Sequence, residues 1–234
     1  MKRFSIRRVV NYLRYVYTVY AKNYIWNALT MFALPLIMAF LDRSILAASE
    51  MSMFVYCVAS MVLPVREVMP LRDRGYKLLA MTQPVSNEER WLAMVFNMAI
   101  LLPAVAMVTS VLSIVVAAPF SYYDVALGEF IVDHLDEQFL QWPIYVLIQI
   151  IASVSLLIAI MARRSLMLAY VVVFVGTFLL LYVVADLSVS HEWYLTIEAN
   201  IDTVELVGKI VYCSIPLIFY VLCYVALRLR QVKW

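Results

Sequence analysis

The chain has 234 residues, of which 65% are hydrophobic and 15% are charged, with a net charge of +2 and a mean hydropathy of +0.89. A soluble globule of this composition could not cover its apolar surface, so a soluble protein is excluded. Four glycines and thirteen methionines favour helices over an outer-membrane barrel, whose strands alternate polar and apolar residues between turns. We therefore predict an all-α, polytopic membrane protein with one transmembrane domain over residues 1–234.

Residues 2–22 predict an amphipathic helix that lies in the membrane interface. Polar and basic residues recur every three or four positions and share one face: Arg3, Arg7, Asn11, Arg14, Thr18 and Lys22. The other faces are apolar and carry four tyrosines, so we expect the arginines to contact anionic lipid and the tyrosines to lie at the interface. A simple cytosolic tail that only sets topology is the alternative.

Six apolar runs follow within residues 25–227, each close to the roughly 20 residues that cross a hydrocarbon core. The predicted spans are Ile25–Leu41, Ile45–Val65, Trp91–Ala118, Pro143–Ala162, Leu166–Val184 and Ile210–Leu227. Three residues join the first two spans, which predicts a helical hairpin.

The charge-dense loop 66–90 separates the second and third spans. Ser86 and Glu89 precede an apolar run with the spacing of a capping box, in which each side chain bonds the amide of the other residue. Pro84 fits just outside this helix start, and the segment 70–80, opened by a proline, predicts a separate short helix. A plain solvated connector is the alternative.

The distribution of charge predicts the orientation of the chain. Sixteen of the eighteen Lys and Arg residues lie in the N-terminal segment, the loop 66–90, the turn after the fourth span and the C-terminal tail. Twelve of the sixteen acidic residues lie on the opposite side. Since cytosolic segments are enriched in Lys and Arg, both termini are predicted to be cytosolic.

Two segments are predicted on the outer side. Apolar residues at helical spacing in 121–142 predict a helix on the membrane surface, and the loop 187–208 carries aromatic residues that can dip into the interface. Asp133, His134 and Glu137 could share a face and bind a metal. A histidine beside acids on a solvated helix is the simpler interpretation, so no metal site is predicted.

The interior of the predicted spans carries few ionisable residues. Apart from Glu50, none lies at mid-membrane depth, which argues against ion-coupled carriers and voltage sensors. Uncharged polar residues are interpreted as interhelical hydrogen-bonding groups, with the lining of a transport path as the alternative: Asn27, Thr30, Asn97, Thr109, Ser110, Ser113, Gln149, Ser153, Ser155 and Thr177. Pro35, Pro103 and Pro216 are predicted to kink their spans.

Motifs for catalysis are missing from the sequence. None of the four glycines belongs to a phosphate-binding G-x-x-x-x-G-K-[ST] loop, and neither H-E-x-x-H nor G-x-S-x-G occurs. We therefore predict that the chain is not an enzyme, that it carries no cofactor and that any energy source is another polypeptide.

The layout resembles the membrane subunit of a type-2 ABC transporter, the exporter-like permease family. It combines an N-terminal interfacial helix, six spans with both ends inside and a helical cytosolic loop between the second and third spans. The segments 78–79 (LL) and 84–93 (PVSNEERWLA) are similar to a pattern found in permease-like proteins of Bacteroidetes. Gln83 departs from this pattern, which has Leu there. The longer outer loop follows the third span here, whereas the family elaborates the one between the fifth and sixth.

The resemblance implies a permease that works with a separate ATPase in the inner membrane. Two subunits, identical or homologous, would form a core in contact with membrane lipids, each docking one cytosolic ABC ATPase, with no nucleic-acid partner. The segment 70–80 would be the coupling helix, and the structural cap Pro84, Ser86 and Glu89 would pass its displacement to the third span. The residues implied to contact the ATPase are Arg72, Asp73, Arg74, Tyr76 and Lys77.

Two other functions remain open on the sequence. A membrane scaffold or assembly subunit could use the same basic loop to recruit a different soluble protein. A membrane-embedded enzyme that modifies lipid would need polar groups near the interface, and the candidates all lie on the outer side: Asp133, His134, Glu137, His191 and Glu192.

Overall fold

The computed structural model describes residues 4–68, 85–121, 127–161, 171, 175–176 and 201–231. Nearly all of these residues are helical, and no strand occurs among them. The predicted coupling helix 70–80 lies outside the described residues. So do the segment 187–200 and, apart from three positions, the predicted fifth span 166–184.

Eight α-helices make up the described part of the chain. They are α1 Ile6–Val19, α2 Ala21–Asp42, α3 Ile45–Val68, α4 Asn87–Phe96, α5 Leu102–Ala117, α6 Leu127–Leu135, α7 Trp142–Met161 and α8 Ile201–Gln231. The π-helical segment Asn97–Leu101 joins α4 to α5, and a second one, Asp136–Leu140, follows α6. A 3-10 turn, Ala118–Phe120, continues α5.

Five helical stretches among the described residues are long and apolar enough to cross a membrane: Ala21–Asp42, Ile45–Val68, Asn87–Phe120, Trp142–Met161 and Tyr212–Leu229. The chain is therefore an all-α, multi-pass membrane protein, and these stretches correspond to five of the six predicted spans. The remaining one, the predicted fifth span at 166–184, stays a prediction. The prediction of a loop up to Gly208 is wrong, because α8 begins at Ile201 and runs through that glycine, which a helix tolerates at a cost of about 1 kcal/mol.

The turn between α2 and α3 forms the predicted helical hairpin. Arg43 adopts the left-handed conformation that ends many helices, with φ of 51°. The amide of Ser44 donates to the carbonyl of Ala39 at 3.2 Å, so one of the last carbonyls of α2 keeps a partner. The two antiparallel spans can therefore pack along their length.

The helix α1 packs against the bundle with one face and exposes the other. The described residues of the predicted basic face are all exposed: Arg7, Asn11, Arg14, Thr18 and Lys22. Val9, Tyr12 and Val16 are buried and form a cluster with Ala93 of α4. The expectation that the tyrosines lie at the interface is therefore wrong for Tyr12, because it fills the contact between α1 and α4.

The core of the bundle surrounds α7, the most enclosed of the five described spans. In an apolar stretch of 18 residues taken from each span, 61% of the α7 stretch is buried inside the protein, against 17% of the α2 stretch. Small residues that are 0–1% exposed line this helix and allow close approach of its neighbours: Ala152, Ser153, Ser155 and Ala159. Larger side chains fill the remaining space, among them Met94, Met98, Leu156 and Ile160.

The bundle has two distinct ends, which we name after the short helices that lie there. At the α1 end, α1 contacts α4, and Tyr224 of α8 donates its hydroxyl to Glu88 at 3.3 Å. At the α6 end, Phe130 of α6 packs with Ala39, Ile45 and Ile114. The N-terminal helix and the last turns of α8 therefore lie at the same end of the molecule.

Candidate functional site

A buried carboxylate marks the beginning of the third span. The Ser86 hydroxyl accepts a hydrogen bond from the Glu89 amide at 3.3 Å, and Glu89 Oε2 accepts one from the Ser86 amide at 2.9 Å. The capping box expected from the sequence is therefore present. The Glu89 side chain is 0% exposed, and its position in the first turn also sets the negative charge at the positive end of the helix dipole.

The same carboxylate holds α1. Arg8 Nε donates to Glu89 Oε1 at 2.9 Å, and a terminal guanidinium nitrogen of Arg8 lies 2.8 Å from that oxygen. The amide of Ser5 donates to it as well, at 2.9 Å. We name Ser5, Arg8, Ser86 and Glu89 the Glu89 junction. It ties α1, the last residues of the loop 66–90 and α4 to one another.

A second buried carboxylate lies in the last turn of α3. Glu67 is 8% exposed, and its Oε1 accepts hydrogen bonds from the Tyr24 hydroxyl and from Asn97 Nδ2, the latter at 2.9 Å. Asn97 Oδ1 accepts a hydrogen bond from the Tyr17 hydroxyl. We name Tyr17, Tyr24, Glu67 and Asn97 the Glu67 cluster. The prediction that Glu67 belongs to the loop 66–90 is wrong, because α3 continues to Val68 and keeps this side chain inside the bundle.

Tyr17 is the one member of the Glu67 cluster contributed by α1. Burial and the nearby Glu67 carboxylate raise the pKa of Tyr17 to about 12. Its hydroxyl therefore remains protonated at neutral pH and can donate to Asn97. The α1 helix is thus attached to the bundle at two points, through Arg8 near its start and through Tyr17 near its end.

The π-helical segment Asn97–Leu101 begins at the asparagine of the Glu67 cluster. The amide of Leu102 bonds the carbonyl of Asn97, five residues earlier, instead of the carbonyl four residues earlier. The next residue, Pro103, has no amide hydrogen to donate. The carbonyl of Met98 therefore has no main-chain donor in this pattern, and the carbonyl of Ala99 loses the donor that residue 103 provides in a regular helix.

Side chains from α7 bond these two carbonyls. Gln149 Nε2 donates to the carbonyl of Met98 at 3.2 Å, and the Tyr145 hydroxyl donates to that of Ala99 at 2.7 Å. Gln149 Oε1 in turn accepts from the Tyr220 hydroxyl at 2.8 Å. The interpretation of Asn97 and Gln149 as interhelical hydrogen-bonding groups is confirmed. The irregular segment is consequently held in place rather than left with unpaired buried carbonyls.

A cavity of about 400 Å³ lies next to the Glu67 cluster, between α2, α3 and the third span. Glu67, Asn27 and Asn97 provide polar groups at its wall. The rest is mostly apolar and includes Ala28, Met31, Leu63, Met98, Leu102 and Val105. Ile25 also lines it and is 65% exposed, so the cavity reaches the surface of the bundle beside this residue.

At the α6 end, a neutral polar contact holds α6. His134 is 3% exposed; its Nδ1 lies 2.7 Å from the Ser49 hydroxyl of α3, and its Nε2 lies 2.6 Å from the Ser110 hydroxyl of α5. Burial lowers the pKa of His134 to about 4. The interpretation of His134 as a solvated histidine is wrong, because α6 turns this face towards α3 and α5. Asp133 and Glu137 are exposed, and no metal-binding group of three such side chains occurs among the described residues.

The residues implied to contact an ATPase lie outside the described part of the chain: Arg72, Asp73, Arg74, Tyr76 and Lys77. Pro84 lies outside it as well, so of the predicted cap only Ser86 and Glu89 can be placed. Sequence reasoning missed the role of Arg8 and the Glu67 cluster. Glu67 and Asn97 lie near the two ends of the same loop in the sequence, but that spacing does not show that their side chains meet.

The two buried carboxylates at the α1 end can play two different roles. The Glu89 junction can transmit a displacement of the loop 66–90 to α1 and to the third span, since one buried group bonds all three. The Glu67 cluster can bind a hydrogen-bond donor that enters the adjacent cavity. Comparison with known protein families, with curated proteins and with solved structures found no match for this chain.

Proposed function

We propose that this chain is the membrane-spanning permease subunit of an ATP-driven, type-2 ABC exporter. In this proposal the protein lies in the inner membrane with both termini in the cytosol. It pairs with an identical or homologous permease, and each copy docks one cytosolic ABC ATPase through the loop 66–90. The chain itself hydrolyses nothing and needs no cofactor.

The observation that carries the proposal is the Glu89 junction. A coupling loop must be joined stiffly to the spans, because ATP binding in a separate subunit can move them only through a rigid connection. Glu89 is fully buried and bonded to Ser86, Ser5 and Arg8, so the described end of the loop is fixed to two helices at once. A plain solvated connector does not need such a junction.

Charge supports the orientation that the proposal requires. The α1 end carries the N-terminal helix with its exposed basic face and the last turns of α8. These belong to the segments that hold sixteen of the eighteen Lys and Arg residues. Positively charged segments are retained in the cytosol, which favours the α1 end as the cytosolic end.

The proposed mechanism uses two states of the bundle. ATP binding closes the pair of ATPases and biases an equilibrium between inward-open and outward-open arrangements. The coupling helix 70–80, gripped through Arg72, Asp73, Arg74, Tyr76 and Lys77, moves with the ATPase. The Glu89 junction then passes the displacement to α4 and α1 together.

Charge reversal in the loop tests the proposal. In the double variant Arg72→Glu and Arg74→Glu we expect normal insertion into the membrane but loss of the ATPase that co-purifies with the wild type in mild detergent, identified by mass spectrometry. The matched control is Arg228→Glu with Arg230→Glu, which has the same spacing in the C-terminal tail and should keep the ATPase. Full co-purification and full export in the loop variant would contradict the proposal, and capture of a soluble protein other than an ATPase would favour the scaffold.

A further inference from the structure

The cavity beside the Glu67 cluster combines an apolar wall with a carboxylate. Its volume of about 400 Å³ falls within the roughly 300–1,000 Å³ of typical ligand sites. Such sites are mostly apolar, with a few polar groups that orient the ligand. We infer that this cavity binds the head group and upper chain of a single-chain cationic amphiphile, an alkyl amine, with its ammonium group on Glu67.

The unused acceptor atom of Glu67 argues for a charged donor. Both of its hydrogen bonds among the described residues come from neutral donors, Tyr24 and Asn97, and both reach Oε1. Within that part of the chain, Oε2 accepts no hydrogen bond and no Lys, Arg or His lies within ion-pair distance. A carboxyl group buried without a counter-charge favours its neutral form, so a cation beside it would stabilise the ionised form and be held by it in turn. A ligand ammonium would supply both the missing charge and a donor for Oε2.

Asn27 helps to shape the polar end of the cavity. Its Oδ1 accepts from the Arg66 guanidinium at 3.0 Å, but its Nδ2 is buried and has no hydrogen-bond partner among the described residues. Asn27 lines the same cavity as Glu67. Its Nδ2 is shielded from the open space of the cavity, so Asn27 shapes the polar end but offers no donor to a ligand there.

The apolar wall fits the chain of such a ligand. Ala28 and Met31 of α2 face Leu102 and Val105 of α5 across the cavity, and they continue from the polar end along the spans. The opening beside the exposed Ile25 lies on the outer surface of α2, where a membrane protein meets lipid acyl chains. A single-chain amphiphile can therefore enter sideways from the membrane. That this ligand is exported cargo rests on the proposed function, whereas its binding does not.

The test compares two probes of equal chain length, dodecylamine and dodecanol, on the permease alone in phosphatidylcholine nanodiscs. Binding is read as a concentration-dependent rise of the unfolding temperature, followed by tryptophan fluorescence, and checked by native mass spectrometry. On the wild type we expect half-saturation at a concentration at least tenfold lower for the amine than for the alcohol. In Glu67→Gln the amine should lose this advantage and the alcohol should be unchanged. Equal half-saturation of the two probes on the wild type would overturn the inference.

A second pair of variants locates the site without altering Glu67. Ala28→Phe should fill the cavity and raise the half-saturating concentration of dodecylamine at least tenfold. Leu29→Phe, the matched control, adds a ring at the neighbouring position, which is 47% exposed and does not line the cavity, and should leave binding unchanged. Unchanged amine binding in Ala28→Phe would overturn the inference even if Glu67→Gln failed to fold. Because no ATPase is present, failure of amine binding leaves the coupling proposal standing, and failure of ATPase co-purification leaves the binding site standing.

Discussion

The two ends of the bundle solve the same packing problem with different chemistry. At the α1 end, the buried Glu89 carboxylate fixes α1 through Arg8, a charged group. At the α6 end, the buried His134 imidazole fixes α6 through Ser49 and Ser110, which are neutral hydroxyls. One buried polar side chain thus bonds each short helix, and α1 has a second polar attachment through Tyr17.

The two attachments differ in how much stability is lost when one partner is removed. A buried ion pair leaves an uncompensated charge when one member is lost, so its members depend strongly on each other. A neutral hydrogen bond leaves an unpaired polar group, which costs less. The charged junction also lies next to the proposed coupling loop, and the neutral contact lies at the opposite end. We therefore expect substitutions in the Glu89 junction to lower the free energy of unfolding more than substitutions in the His134 contact.

Removal of Glu89 should have the largest effect. Glu89→Ala deletes the capping carboxylate and its ion pair with Arg8, a side chain that is 28% exposed, so we expect the free energy of unfolding to fall by about 2–4 kcal/mol. Chemical unfolding in detergent, followed by tryptophan fluorescence, measures it. The control is Glu88→Gln, at an exposed neighbour, which keeps an acceptor for the Tyr224 hydroxyl and should change stability by no more than about 1 kcal/mol. Equal free energies of unfolding for the two variants would show that the Glu89 junction does not stabilise the fold.

Removal of His134 should cost less. In His134→Ala the hydroxyls of Ser49 and Ser110 lose their shared partner and the imidazole leaves a small void, so we expect a loss of about 1–3 kcal/mol. The same unfolding experiment applies. Asp133→Ala is the adjacent, exposed control and should be close to the wild type. If His134→Ala proved as costly as Glu89→Ala, the contrast between a charged and a neutral attachment would be wrong.

The α6 end should also respond to pH. An unfolded histidine titrates near pH 6.5, whereas burial lowers the pKa of His134 to about 4. Between these values the unfolded chain binds a proton that the folded chain does not, so stability from this group is complete above pH 6.5 and falls as the pH falls towards 4. From pH 6.5 to 5 the loss should be at most about 2 kcal/mol. His134→Asn, which cannot ionise, should show a shallower pH dependence than the wild type; parallel curves would contradict this.

Loss of the Ser86 cap should have the smallest effect. Ser86→Ala removes the side-chain acceptor for the Glu89 amide but leaves the contact between Glu89 and Arg8, so we expect a loss of about 1 kcal/mol. Ser86→Gly should cost only a few tenths of a kcal/mol, because glycine is tolerated at this position. A loss as large as that of Glu89→Ala would mean that the cap and the ion pair form one cooperative unit.

Local features of the fold could be predicted from the sequence. The α2–α3 turn, the exposed basic face of α1 and the bonds between Ser86 and Glu89 depend on residues that are at most five positions apart or that repeat at helical spacing. Each is determined by backbone geometry and short-range hydrogen bonds, so a single sequence contains the information.

The contacts across the bundle could not be predicted in the same way. The hydrogen bond between Tyr24 and Glu67 joins residues 43 positions apart, and the pair Arg8 and Glu89 spans 81 positions. Nothing in the local sequence distinguishes a buried carboxylate at the end of a span from one in a solvated loop. His134 was misread for the same reason, because its burial depends on serines from two other helices.

Labelling from one side of the membrane tests most directly the central claim, that the α1 end and its loop 66–90 face the cytosol. Lys77→Cys would be introduced into a variant in which Cys57, Cys213 and Cys223 are replaced by serine, and treated with a maleimide that cannot cross membranes. The account predicts no labelling in intact cells with a permeabilised outer membrane, and strong labelling in inverted inner-membrane vesicles. Labelling of residue 77 in the intact cells would put the loop out of reach of any cytosolic ATPase and would contradict the account.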